Sequence, residues 1–130
     1  MSMLTDLYTY LSTYASLKTL IGQRVYPVDS VPKNCVLPYV TFERVDNPAI
    51  HLMCADAALY SPTVEIHIFA ATMSSIYEIE TVLLTALRDY EGAMGSTTIQ
   101  RCFYEDSYYS GFDQAIGTYQ QTMEFTIWHE

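Results

Sequence analysis

Two groups of residues in this sequence have the types and spacing for chemistry. His51-x-x-Cys54 has metal-ligand spacing, and Cys35 or Asp56 lies near enough in the chain to join it. A structural zinc needs four placed ligands. Only half such a motif is present and no CxxC occurs, so a loop histidine and cysteine without metal is the favoured reading. Glu105, Asp106 and Asp113 form the second group. Paired carboxylates serve glycoside hydrolysis when an apolar-walled cleft splits their pKa values. Neighbours in a glycine-containing stretch read instead as solvated surface. A nucleophilic serine has no GxSxG to hold it. Gly92-Ala93-Met94-Gly95 has the spacing of a GxxG loop that clamps RNA. Its surroundings are acidic, with no base before Arg101, so a helix C-terminal turn is the better reading. His67 reads as a packed or surface strand histidine, and His129 as solvated. The expectation is a protein without catalytic residues, metal or cofactor.

Charge narrows the partners. Fifteen acids face six bases among 130 residues, a formal charge of −9. Lys18, Arg24, Lys33, Arg44, Arg88 and Arg101 are scattered. Nucleic-acid affinity draws on lysine and arginine neutralising phosphates, so grip on DNA, RNA or an anionic membrane is not expected. Twelve tyrosines against five phenylalanines suit protein interfaces as well as a core. Three widely spaced cysteines, Cys35, Cys54 and Cys102, predict reduced thiols rather than a disulfide framework. Met1-Ser2-Met3-Leu4-Thr5-Asp6 has no basic stretch before an apolar run, which predicts no signal peptide. No run approaches the ~18 apolar residues of a membrane span.

The elements that would position a site follow from periodicity. Leu4, Leu7, Tyr8, Leu11, Tyr14 and Ala15 recur at helical spacing and predict a helix over 3–20, ended by Gly22. Residues 25–37 read as irregular. Tyr39–Val45 and Thr63–Ala70 read as strands, the second with Val64, Ile66, Ile68 and Ala70 on one face and Glu65, His67 and Phe69 on the other. The connection 46–62 is apolar for a loop, and part of it is expected to extend a strand. Ser75–Tyr90 reads as a helix with Ser75 and Glu78 at capping-box spacing, ended by Gly92. Thr97–Tyr104 reads as a strand, 105–117 as a polar aromatic loop, and Thr118–His129 as the last strand. The expected fold is a single α+β domain over 1–130. It has a mostly antiparallel sheet with two main helices packed on one face, in the order α-β-β-α-β-β.

Four stretches carry a resemblance: the opening helix running into Leu20-Ile21-Gly22-Gln23-Arg24-Val25-Tyr26-Pro27; Leu37-Pro38-Tyr39-Val40-Thr41-Phe42; Val64–Ala70 with the following helix; and the closing Phe125-Thr126-Ile127-Trp128. Together, in this order, they span nearly the whole chain. They resemble the tail-completion, or tail-terminator, proteins of long-tailed, siphovirus-type bacteriophages. The resemblance implies helices on an antiparallel sheet and no catalytic residues. It further implies a ring, typically of six copies, that stops the tail tube at its head-proximal end and offers a surface for head-tail joining. The implied partners are further copies of the chain, the tail tube protein and the head connector protein. DNA would pass through without being bound, and the place would be the virion tail or neck, after assembly in the host cytoplasm.

Two stretches are expected at interfaces. One is His51-Leu52-Met53, in a connection too apolar for a free loop. The other is Tyr108, Tyr109, Phe112 and Asp113, since exposed aromatic patches mark contact surfaces. Glu65, Asp113 and Glu124 are candidate acids for a channel wall. The competing functions are a head-tail adaptor or neck subunit, a small α+β ligand-binding domain, and a hydrolase using Glu105, Asp106 or Asp113.

Overall fold

A computed structural model describes residues 3–22, 24–28, 31, 36–45, 49–51, 58–95, 97–114 and 117–129. Its helices are α1 (Met3–Thr13), α2 (Ala15–Ile21) and α3 (Met73–Leu87). Its strands are β1 (Val25–Pro27), β2 (Tyr39–Arg44), β3 (Ala49–His51), β4 (Ala58–Tyr60), β5 (Thr63–Ala70), β6 (Gly92–Met94), β7 (Thr97–Asp113) and β8 (Thr118–His129). The α+β class and the four principal strands are as expected from the alternation. The order α-β-β-α-β-β gains four short strands and one helix.

The helix expected over 3–20 is two helices. Tyr14 takes an extended conformation between them (φ −70°, ψ 116°). Ahead of it the hydroxyls of Thr9, Ser12 and Thr13 bond back to carbonyls of their own helix. Such back-bonding competes with the helical ladder and favours a bend. The break lets α2 turn so that Leu17 and Ile21 are buried. Gly22 then ends α2 with a positive φ of 62° that glycine adopts freely.

Helix α3 starts earlier than the capping box suggests. Thr72, not Ser75, is the N-cap, and its hydroxyl accepts from the Ser75 N–H at 3.2 Å. The helix ends at Leu87 rather than Tyr90. Gly92-Ala93-Met94-Gly95 is therefore not a helix terminus. It is β6 with its turn, paired to β7 in the register Gly92↔Ile99 and Met94↔Thr97.

The eight-stranded sheet runs β1-β2-β5-β8-β4-β3, with β7 also on β8 and β6 on β7. Among the described strands only β1 is parallel to its neighbour, Val25 facing Val40; it lies where an irregular connection is expected. Alternation along β5 buries Val64, Ile66, Ile68 and Ala70 against the helices and leaves Glu65, His67 and Phe69 on the open face. On β8, Met123, Phe125 and Ile127 join them, and α3 contributes Ile76, Ile79, Leu83, Ala86 and Leu87. Leu7, Leu11, Leu17 and Ile21 of the first two helices close the same core.

The largest departure is the expected loop 105–117. Strand β7 runs unbroken to Asp113, in register with β8 from Ile99↔His129 to Asp113↔Thr118. Gly111, which reads as a breaker, sits inside the strand at one of three register shifts. A bulge absorbs an extra residue and lets the strand continue.

Candidate functional site

Three cross-strand rows cover the open face of the sheet. In the first, Glu43 of β2 pairs with Glu65 of β5, Glu65 with Glu124 of β8, and Glu124 with Asp106 of β7. In the second, Thr41, His67, Thr122 and Tyr108 follow in the same strand order. In the third come Tyr39, Phe69, Gln120 and Gly111. Tyr39 and Phe69 stack, with ring centroids 4.7 Å apart and planes at 15°.

A row of four carboxylates costs stability, because like charges directly opposite one another repel. Its centre is bridged by histidine. His67 Nε2 lies 3.2 Å from Glu43 Oε1 and 3.7 Å from Glu65 Oε2. Its Nδ1 lies 3.0 Å from the Thr122 hydroxyl, which also meets the Ser110 hydroxyl. The imidazole is thus held at both nitrogens. Burial raises the Glu65 carboxyl above the usual range; nearby His67 opposes this, while Glu43 and Glu124 add to it and Glu43 also shares a hydrogen bond with it. Partial burial and then the charges of Glu65, Glu124 and Asp106 raise the Tyr108 phenol. Thr41 is 2% exposed, and its hydroxyl is buried without a hydrogen-bond partner among the described residues.

The β7–β8 hairpin carries the expected aromatic interface residues on strand positions rather than in a loop. Tyr108 is on the open face. Tyr109, in register with Gln121, is 52% exposed on the other side. Phe112 packs against Tyr119 with ring centroids 4.4 Å apart and planes tilted by 38°, yet stays 43% exposed. Asp113 ends β7, well along the hairpin from Asp106. The two acids are therefore not a catalytic pair, and Asp106 belongs to the acidic row. Of the other expected contact residues, His51 lies on β3, paired with Ala58 of β4. Leu52 and Met53 lie outside the described residues, as do Cys35, Cys54 and Asp56 of the metal-like motif. Cys102 is buried, and burial followed by the charge of Asp89 pushes its thiol up to about 12, which makes it inert at neutral pH.

A separate groove of about 740 Å³ lies between the start of α1 and the ends of β1 and β2, walled by Leu4, Tyr8, Tyr26, Val28 and Phe42.

The sequence profile of the family described as Tail completion protein gp17 matches residues 5–130. The chain belongs to that family. A search of curated proteins finds no match. Among solved structures, this tail completion protein is similar to a chain of the virion of a native gene transfer agent particle, with a TM-score of 0.77 at 16% identity, covering 99% of this chain and 95% of that one. At that identity the likeness speaks to the fold. Family membership makes the chain a structural component of a phage-type virion tail, where it assembles with other tail components. The rows on the open face are the feature that sequence inspection misses. Alternation marks Glu43, Glu65 and Glu124 as polar-face residues, but only the register shows that they are neighbours.

Proposed function

We propose that this tail completion protein is a ring subunit, in six copies, that caps the tail tube at its head-proximal end and presents the surface to which the head connector joins. Membership of the tail completion family over residues 5–130 carries the reading. Two features support it. The β7–β8 hairpin extends past β6 with Tyr108, Tyr109 and Phe112 exposed, a long arm with aromatic contact area for a neighbouring subunit. The open face carries Glu65 and Glu124 side by side, and carboxylates on a channel wall repel phosphate and let a duplex slide.

The test is co-assembly with the tail tube protein. Tubes polymerised with the chain present are expected to stop at one end with a cap of this protein, and tubes made without it to grow to uncontrolled length. Tubes of the same length distribution in both cases would contradict the proposal.

A further inference from the structure

We infer that Glu43, Glu65 and His67 form a binding site for a divalent transition cation, Zn²⁺ by ligand type, on the open face of the sheet. The three offer one ligand atom each, all within 4.8 Å of one another. A tetrahedral ion with bonds of about 2.0–2.2 Å needs ligand atoms about 3.3–3.6 Å apart. His67 Nε2 stands 3.2 Å from one carboxylate oxygen and 3.7 Å from the other, which brackets that edge. Two carboxylates with one imidazole suit Zn²⁺ better than the all-oxygen sets of Ca²⁺ or Mg²⁺.

The surroundings are those of a metal site. Ligating histidines usually engage their second nitrogen in a hydrogen bond that fixes the ring, and Thr122 holds Nδ1 of His67 at 3.0 Å. The ligands come from adjacent strands in fixed register, so the triad needs no loop to fold around the ion. An independent observation points the same way. Thr41 lies directly opposite His67, two residues before Glu43 on the same face of β2, and its hydroxyl is buried without a partner among the described residues. Such a hydroxyl calls for an explanation, an unseen ion or its water among them. With three protein ligands, the fourth position of a tetrahedral ion is left to a water. The cation also offsets the repulsion between Glu43 and Glu65 and ties β2 to β5.

The experiment is a calorimetric titration of chelator-stripped protein with Zn²⁺ at neutral pH. One ion per chain is expected. His67→Gln and Glu43→Gln are each expected to weaken binding by at least about tenfold, and Thr122→Val by about 10- to 100-fold. Glu78→Gln, at an exposed position of α3 across the sheet, is expected to leave binding unchanged. Glu43→Gln removes a repulsion, so this variant stays folded and its result is decisive; circular dichroism checks the others. No binding, or binding equally strong in Glu43→Gln and His67→Gln, overturns the site and leaves only adventitious adsorption to surface carboxylates. Ring formation measured in chelator is a separate result and bears only on the assembly reading.

Discussion

Glu43 and Glu65 stand directly opposite each other on adjacent antiparallel strands, with His67 Nε2 within 3.2 Å of the first and 3.7 Å of the second. Burial first, and then the charges of Glu43 and Glu124, raise the affinity of Glu65 for a proton. A group whose folded pKa is raised contributes stability below its unfolded pKa, and that contribution is lost as pH rises through the folded value. In chelator, Glu65→Gln is therefore expected to melt higher than the parent at neutral pH, by up to ~1 kcal/mol or a few degrees. The advantage should shrink as pH falls through the raised Glu65 value toward the ordinary carboxylate range. Thermal melts across that range check it; an advantage that grows in acid would contradict it.

Gly95 and Asp6 show how the β6–β7 turn is fitted to α1. Gly95 has φ 61°, and a Cβ there would lie 2.8 Å from Asp6 Cγ. The Asp6 carboxylate is buried and accepts a hydrogen bond from the Thr97 hydroxyl. Gly95→Ala is expected to cost about 1–3 kcal/mol, from the left-handed backbone and the displaced carboxylate together. Gly95→Asn tolerates the backbone but meets the same carboxylate, so it should recover little. Denaturant unfolding measures both.

How much of this was legible in the sequence differs by element. The alternation of Thr63–Ala70 assigns every β5 side chain to the correct face, because burial on one face imposes a period of two. The buried residues of α3, Ile76, Ile79, Leu83, Ala86 and Leu87, recur at helical spacing in the same way. The break at Tyr14 leaves no proline or glycine signal; it comes from hydroxyl back-bonding and from where α2 must pack. The hairpin through Gly111 was hidden because glycine ends a strand as often as it marks a bulge within one. The acidic row depends on register, which sets Glu43, Glu65, Glu124 and Asp106 side by side although they are far apart in the chain.

The exposed hairpin aromatics test the interface reading. Tyr108, Tyr109 and Phe112 replaced together by serine should weaken subunit association by at least ~2 kcal/mol, roughly a 30-fold rise in the concentration needed to assemble. Strand and helix content by circular dichroism should be unchanged. Loss of folding would place these residues in the core of the hairpin instead.

Charge gives a further expectation. Six copies carry 6 × (−9) = −54 formal charges. Duplex DNA is therefore expected not to bind the chain at physiological salt. Anisotropy titrations check this; binding that weakens with added salt would contradict it, since phosphate contacts have that signature.

Imaging of the purified, assembled chain by electron microscopy, with its mass in solution, tests the central claim most directly. The account predicts closed rings of six copies around a central opening, with acids outnumbering bases on the inner wall. A chain that stays monomeric, a particle with no opening, or a wall lined mainly by lysine and arginine would contradict it.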